Sequence, residues 1–558
     1  MDQYIAYSND LIEKLASSHN DFFNAEFEYK RELARMVLQK VQSDKWTYTN
    51  DWIEKSCQLE NLFPTSSAEV KQLASMKKFN FGSIAKLWLT TFMNAPTISK
   101  PSRVIGKDGS YLSGPYSMGL NAPGINFELF CEPLNEQDKS YNERSKKGTV
   151  CLVLGAGNQN FITLIDIFQR VFIHNECVLI KHHPIRQFLY DPYYIILQPL
   201  IERNIVHMLK DIDNEFTKEI IKHKLITHVH FTGSKKTYNS ITKSLRSAKK
   251  NWHVTAELGC VTPWIVLPEL WTENEITNAA KQIVTAKKTN GGCNCLSAQL
   301  VILPETWEQK SIFLDELSKQ FVHQKTIPSY YPNSIVNKKE FIYIYGNDGI
   351  NTKSKVHIGS CSEDDEVYII NYGLISNKKQ NDYCLRNEVF GPVLVIAEVE
   401  NNNLDAYVDK VISTLNSDKV YGSLSCSILT PSSVSNEIID KLILELEYGT
   451  IAINTWSVFG YTAAALGGTW GGYYKTTESG RGRIGNIYQH NHVTKTVIRN
   501  ESLENLQIDL SNIPPTFVLN LLFALVVKTN NSFDVLIEFV FFIIDTLLFS
   551  IIDFFRKE

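Results

Sequence analysis

The stretch that decides the fold is Thr149–Lys181, TVCLVLGAGNQNFITLIDIFQRVFIHNECVLIK. Its first six residues, TVCLVL (149–154), are an uninterrupted apolar run with the length of a strand buried on both faces. The turn GAGNQN follows, then a helix-length segment from Phe161 to His174 and a second apolar run, CVLIK (177–181). Strand, crossover helix and strand within 33 residues make a βαβ unit, which requires a parallel sheet with helices on its faces. A third such strand, THVHF (227–231), ends in Thr232-Gly233-Ser234 ahead of a lysine-rich, helix-like segment. Backbone amides left free at such a helix start can bind an anion. Gly155-Ala156-Gly157 opens like a dinucleotide-binding fingerprint but lacks the third glycine. These two turns alone leave nucleotide binding and ordinary α/β turns both open.

Upstream, residues 1–95 carry helical apolar spacing (Ile5, Leu11, Ile12, Leu15, then Leu33, Met36, Val37) and read as a helical lead-in. Residues 101–147 are rich in glycine and proline and read as turns. Downstream, strand-like runs recur at 262–268, 299–304, 367–371, 391–399, 422–429 and 450–454, which implies a second α/β domain. At 558 residues the chain is too long for one core, and about 150 residues per domain leads us to expect three or four. With 44% apolar and 21% charged residues it is an ordered globular protein. Lys and Arg number 56 against 60 Asp and Glu, so no excess positive charge is available for a nucleic acid. No secretory signal opens the chain, and its ten cysteines read as reduced thiols in a cytoplasmic protein. No metal site is expected: Cys293-x-Cys295 has the wrong spacing, and His182-His183 and His228-x-His230 have no third ligand nearby.

Two segments carry chemistry. Cys295, in TNGGCNCLSAQ (289–299), sits among small residues after a Gly-Gly turn, where a thiol can meet a substrate. Glu257, in VTAELGCVTP (254–263), lies in an apolar, glycine-bounded segment that would raise its pKa towards that of a useful base. From the residues alone a buried structural cysteine and an ion-paired glutamate remain open.

Taken together, these segments resemble the aldehyde dehydrogenase superfamily, in order, across residues 145–500. Glu257-Leu-Gly-Cys-Val-Thr-Pro263 is similar to that family's Glu-Leu-Gly-Gly-Lys-Ser-Pro motif, and Asn290-x-Gly292-x-x-Cys295 to its nucleophile motif. Phe231-Thr-Gly-Ser234 is similar to its pyrophosphate turn and Asn387-Glu-Val-Phe-Gly-Pro-Val393 to its Glu-x-Phe-Gly-Pro segment; GTIAIN (449–454) and GGYYKTTESGRGRIGN (471–486) follow in place. The resemblance implies an aldehyde-like substrate, NAD or NADP as cofactor, and oxidation to a carboxylic acid through a cysteine thiohemiacetal and thioester. Cys295 would be the nucleophile, Asn158 and the Cys295 amide the oxyanion donors, and Glu257 the base that activates water. Lys181 would bind the adenosine ribose, Gly233 and Ser234 the pyrophosphate, Glu388 the nicotinamide ribose, and Phe390 would pack beside the nicotinamide. Cys293 is a rival nucleophile, disfavoured because the motif places its thiol three residues after Gly292.

The implied fold is an α/β, aldehyde dehydrogenase-like one: a Rossmann-type cofactor domain, a second α/β catalytic domain and a small oligomerisation strand element. The expected boundaries are 1–135 for the helical lead-in and first part of the cofactor domain, 136–147 for an oligomerisation arm, and 148–258 for the Rossmann-type NAD(P)-binding domain. Residues 259–470 form the catalytic domain, 471–500 a return segment and oligomerisation strand, and 501–558 a hydrophobic, amphipathic extension. The strand HVTKTVIR (492–499) is expected to pair with a neighbouring subunit, giving a homodimer or homotetramer. Departures from the motifs are Cys260 and Val261, where glycine and lysine are usual, and Leu300, where arginine is usual. Pro184 replaces a glutamate that repels a 2′-phosphate, and His182, His183 and Arg186 could tolerate that phosphate, which keeps NADP open. In the tail, FVLNLLFALVV (517–527) is too short to span a bilayer, and 535–555 carries Glu538 and Asp545, with Asp534 and Asp553, along one helical face. Docking on protein is favoured over membrane attachment through 515–555, since an acidic stripe suits anionic headgroups poorly. Transfer of the acyl group to coenzyme A, and a catalytically silent scaffold or membrane-tethered member of the fold, are the alternatives.

Overall fold

A computed structural model describes residues 2–49, 51–60, 68–94, 102–119, 122–133, 150–210, 214–247, 253–324, 328–346, 367–375, 382–488, 492–504 and 513–529. The expected arm at 136–147 and the second apolar tail run at 535–555 lie outside them.

In chain order, four helices come first: α1 (Asp2–Asn24), α2 (Phe27–Gln42), α3 (Trp52–Leu59) and α4 (Ala68–Asn94). Strands β1 (Ser102–Val104), β2 (Tyr111–Ser117) and β3 (Ile125–Cys131) follow. Then come β4 (Val150–Leu154), α5 (Ile162–Phe168), β5 (Cys177–Lys181), α6 (Tyr190–Ile201), β6 (Val206–Leu209), α7 (Asn214–Ile220), β7 (Ile226–Gly233), α8 (Lys235–Ser247) and β8 (His253–Leu258). The rest of the framework is β9 (Pro263–Val266), α9 (Glu273–Lys288), β10 (Leu300–Pro304), β11 (Tyr368–Leu374), β12 (Val393–Val399), β13 (Ser425–Leu429), β14 (Thr450–Ile453), β15 (Thr469–Gly471), β16 (Arg483–Gly485) and β17 (Val493–Asn500).

The chain divides into two compact units that interleave in sequence, 1–94 with 145–226 and 512–558, and 95–144 with 227–511. In the first, β6, β5 and β4 are parallel neighbours, with Leu154 opposite Lys181 and Lys181 opposite Leu209. Every residue of β4 and β5 is buried, which is why both read as unbroken apolar runs. Helix α2 buries Leu33, Ala34, Val37, Leu38 and Val41 on one stripe. Trp46, Trp52, Phe81 and Tyr193 extend that core, the Trp46 and Phe81 rings lying 4.8 Å apart.

The first apolar tail run docks here on protein. Residues 516–522 form a helix and 523–528 a wider helical turn that pack on α4. Phe523 lies under the ammonium of Lys78, 4.6 Å from ring centre to Nζ, and Lys86 donates to the carbonyl of Thr529. Among the described residues no helix is long and apolar enough to cross a membrane.

In the second unit β7 and β8 pair in parallel, Thr232 opposite Glu257. A ten-stranded sheet runs β1-β2-β3-β17-β14-β13-β9-β10-β12-β11 among the described residues. Its strands from β17 to β11 are mutually parallel, and β3, β2 and β1 continue the sheet antiparallel from β17. This corrects the expectation for 492–499: β17 has β14 on one edge and β3 on the other, so it offers no edge to a neighbouring subunit. The cause is that 102–131, expected only as turns, supplies three strands that cover that edge.

Candidate active site

The turn after α9 reverses through three consecutive residues of positive φ, Asn290 (59°), Gly291 (61°) and Gly292 (75°). At Gly292 a Cβ would stand 2.5 Å from the carbonyl oxygen of Gly391, so backbone meets backbone there. The turn delivers Cys295 partly exposed, while the other described cysteines are buried, Cys293 among them. Cys293 turns its sulfur inward, 3.7 Å from the carbonyl of Gly291. The backbone at 295–296 is held from two sides: Thr262 Oγ1 donates to the Cys295 carbonyl (3.0 Å) and Trp456 Nε1 to that of Leu296 (2.7 Å).

Glu257 is buried near the end of β8 and its Oε1 accepts from Trp470 Nε1 at 2.5 Å. Segment 479–481 lines up beside it, since Ala256 N–H donates to the Arg481 carbonyl, Leu258 N–H to that of Ser479, and Ser479 Oγ to that of Gly259. Burial, then the carboxylates of Glu257 and Glu388, push the Cys295 thiol well above the usual cysteine range. Its own backbone N–H, directed at the sulfur, works the other way. The resting sulfur is thus a thiol.

Glu388 lies against the next turn. Its Oε2 is 1.9 Å from where a Cβ on Gly259 would sit, and its Oε1 has no hydrogen-bond partner. Burial raises the Glu388 carboxyl to about 8, against the Cys260 amide and Lys287. Lys287 was not anticipated, because a lysine on a helix usually faces water. It is buried, donates to the carbonyls of Gly391 (3.0 Å) and Val393 (2.8 Å), and is pushed down to about 7 by burial. Between them Phe390 takes a positive φ of 49° and sets its ring edge-on to Tyr331 at 4.9 Å. The motif departures are absorbed by packing. Cys260 and Val261 are buried, the Cys260 sulfur accepting from the Thr262 amide at 3.3 Å, and Leu300 is a fully buried residue of β10.

Cys295, Glu257 and Glu388 therefore share one neighbourhood of the second unit. Ser234 stands exposed at the start of α8, its Oγ accepting from the Thr237 amide (3.2 Å), with Gly233 before it and Lys235 and Lys236 after it. Asn158 and Lys181 belong to the first unit: Lys181 ends β5, its carbonyl accepts from Gly155 N–H (3.0 Å), and Asn158 is buried in the turn that follows β4.

The basic cluster after Lys181 differs from the expectation. Burial, then the charge of Lys181, lowers His182 to about 4, and burial, then Lys181 and Arg186, lowers His183 to about 4. Arg186 is fully buried with its guanidinium bound to protein. None of the three is a surface cation for a 2′-phosphate: His182 and Arg186 are buried, and the half-buried His183 is uncharged at neutral pH.

The sequence matches the aldehyde dehydrogenase family over residues 194–497, more than half of the 558-residue chain. The chain belongs to the aldehyde dehydrogenase family. It is 27% identical over 315 residues to a lactaldehyde dehydrogenase of Methanococcus maripaludis, covering 55% of this chain and 60% of that protein. It is 25% identical over 278 residues to a 1-pyrroline-5-carboxylate dehydrogenase of Staphylococcus aureus, covering 48% of this chain and 49% of that one. The matches thus span about half to three fifths of these relatives' length. In fold it is similar to betaine aldehyde dehydrogenase from Staphylococcus aureus in complex with NAD+ (TM-score 0.58, 15% identity, 88% of this chain and 86% of that one). It is likewise similar to succinic semialdehyde dehydrogenase from Streptococcus pyogenes in complex with NADP+ (TM-score 0.60, 16% identity, 89% and 94%).

The nicotinamide dinucleotide implied for an aldehyde dehydrogenase fits the residues present. The start of α8 offers a hydroxyl, free amides and two lysines to a pyrophosphate. The unpartnered Oε1 of Glu388 is an acceptor suited to a ribose hydroxyl.

Proposed function

We propose that this aldehyde dehydrogenase family member oxidises an aldehyde to a carboxylic acid with NAD or NADP. The observation that carries the reading is one thiol, partly exposed at Cys295, under the direct electrostatic influence of a buried carboxylate at Glu257. Cys295 adds to the aldehyde carbonyl. Because burial and two carboxylates keep the sulfur protonated at rest, its proton leaves as the C–S bond forms; Glu257 accepts it and releases it to solvent before the hydrolytic step. The oxyanion of the thiohemiacetal takes hydrogen bonds from the Cys295 backbone N–H and, by the motif, from the side-chain amide of Asn158. The bound dinucleotide supplies the hydride acceptor that no side chain can provide.

The resulting thioester on Cys295 is hydrolysed by water that Glu257 deprotonates, with Trp470 fixing the orientation of that carboxylate. Lys181, Gly233, Ser234, Glu388 and Phe390 would hold the dinucleotide in the roles the motifs give them. Hydrolysis is preferred to transfer onto coenzyme A because a positioned, buried base beside the thioester shortens its life.

The test is a panel of short, long and aromatic aldehydes assayed with each dinucleotide, following the absorbance of the reduced cofactor and identifying the acid product. Activity lost in Cys295→Ala and kept in Cys293→Ala is expected. No turnover of any aldehyde by the wild-type protein with either dinucleotide would overturn the reading.

A further inference from the structure

We propose that Arg186 is a positioning residue for the reaction, fixing the direction in which Asn158 presents its amide. The inference rests on the proposed role of Asn158, but its geometry lies wholly within the first unit. Arg186 follows Lys181 on a short 3-10 turn, where the backbone leaves helical geometry (φ −118°, ψ 21°), and its side chain runs back beneath the turn after β4. Its Nε donates to the carbonyl of Gly157 at 2.8 Å and its Nη2 to the carbonyl of Asn158 at 3.2 Å. Those two carbonyls belong to the peptide planes on either side of the Asn158 α-carbon. Holding both planes fixes φ and ψ at Asn158, and with them the direction of its Cα–Cβ bond. A planar guanidinium can bridge two such oxygens; a lysine ammonium is a point donor and cannot grip both in one geometry.

The guanidinium is itself anchored. Nη1 donates to Asn160 Oδ1 (2.7 Å) and Ser56 Oγ (3.1 Å), and Nη2 to Glu60 Oε1 (3.0 Å). Glu60 also accepts from Lys77, and Asn160 Nδ2 donates to Ser56 Oγ (3.0 Å). Tyr193 Oη donates to the carbonyl of Asn160 at 2.8 Å and accepts from the amide of Leu164 at 3.0 Å, closing the far end of the turn. Ser56, Glu60, Asn160 and Arg186 are all buried, so water does not compete for these bonds. The lead-in helices α3 and α4 thereby reach the turn that carries the proposed oxyanion donor.

Arg186→Lys decides the matter, read in two ways. Hydrogen–deuterium exchange at amides 157–160 is expected to quicken by about tenfold, since two carbonyl anchors are lost while the charge beside Glu60 is kept. Turnover is expected to fall by about 10²-fold with the affinity for NAD, measured by fluorescence titration, unchanged. The loss should vanish in an Asn158→Ala background, because a residue that acts through Asn158 has nothing left to position. Unchanged exchange overturns the proposal whatever the activity, and so does an equal loss of turnover in the two backgrounds. A wild-type protein that turns over no aldehyde sinks the functional reading instead, leaving the exchange result to judge the geometry. Should Arg186→Lys fail to fold, the isosteric Glu60→Gln carries the same test: faster exchange and a smaller loss of turnover confined to the Asn158 background support it, and unchanged exchange overturns it.

Discussion

The indole of Trp470 donates to Glu257 Oε1 at 2.5 Å in a site where both side chains are buried. One of the four acceptor positions of the carboxylate is thus committed to a rigid donor, and the remainder of the group is aimed rather than free to rotate.

Replacing Trp470 with Phe keeps an aromatic ring in the site and removes the donor. A hydrogen bond to a buried charged group is worth about 1.5–3 kcal/mol, or roughly ten- to a hundredfold in rate. The loss should fall on hydrolysis of the thioester: in rapid-quench kinetics the acyl-enzyme burst grows while steady-state turnover drops. An unchanged ratio of burst to turnover would mean that Trp470 only packs.

The Cys295 thiol is held well above its ordinary pKa. Carboxamidomethylation at Cys295, followed by peptide mass spectrometry, should therefore be slow at pH 7 and still accelerating at pH 9. In Glu257→Gln one of the opposing carboxylates is gone, so the curve should shift to lower pH. A shift to higher pH would contradict the electrostatics described here.

Burial raises the Glu388 carboxyl to about 8 from a model-peptide value near 4.5. Because the folded chain binds this proton more tightly than the unfolded chain, its contribution is complete below about pH 4.5 and is lost as pH rises through 8. Glu388→Gln mimics the protonated form, so its melting temperature should exceed that of the wild type more at pH 9 than at pH 6. Calorimetry at the two pH values reads this directly, and an equal offset at both would refute it.

Phe523 is buried against Trp46 and beneath Lys78 in the first unit. Truncation to Ala should destabilise that unit by about 3 kcal/mol, the usual cost for a buried phenylalanine. Thermal denaturation should show it, and Phe523→Leu should recover part of the loss.

How far the sequence could be read depended on how each element meets water. Strands β4 and β5 were legible because a parallel strand covered on both faces must be apolar throughout. Strand β8 was not, since His253, Val254 and Thr255 keep partial or full exposure and interrupt the apolar pattern. Strand β3 alternates buried and half-buried residues from Ile125 to Leu129, yet it sits in a glycine- and proline-rich region whose turn signals dominate the reading. At the site, Cys295, Glu257 and Glu388 stood out through their motif contexts. Lys287 did not, and in the first unit Arg186 was read only as a cation, because both grip backbone carbonyls, which leave no trace in residue identity. Arg186 looked like a phosphate-tolerant cation only as long as its burial was unknown.

The contact between Gly292 and the carbonyl of Gly391 has a practical consequence for redesign. With no side-chain cushion between the two backbones, the loop bearing the thiol and the loop bearing Glu388 cannot be diversified separately: a library that lengthens or stiffens one displaces the other. Efforts to retarget this scaffold should therefore graft both loops together from a single donor.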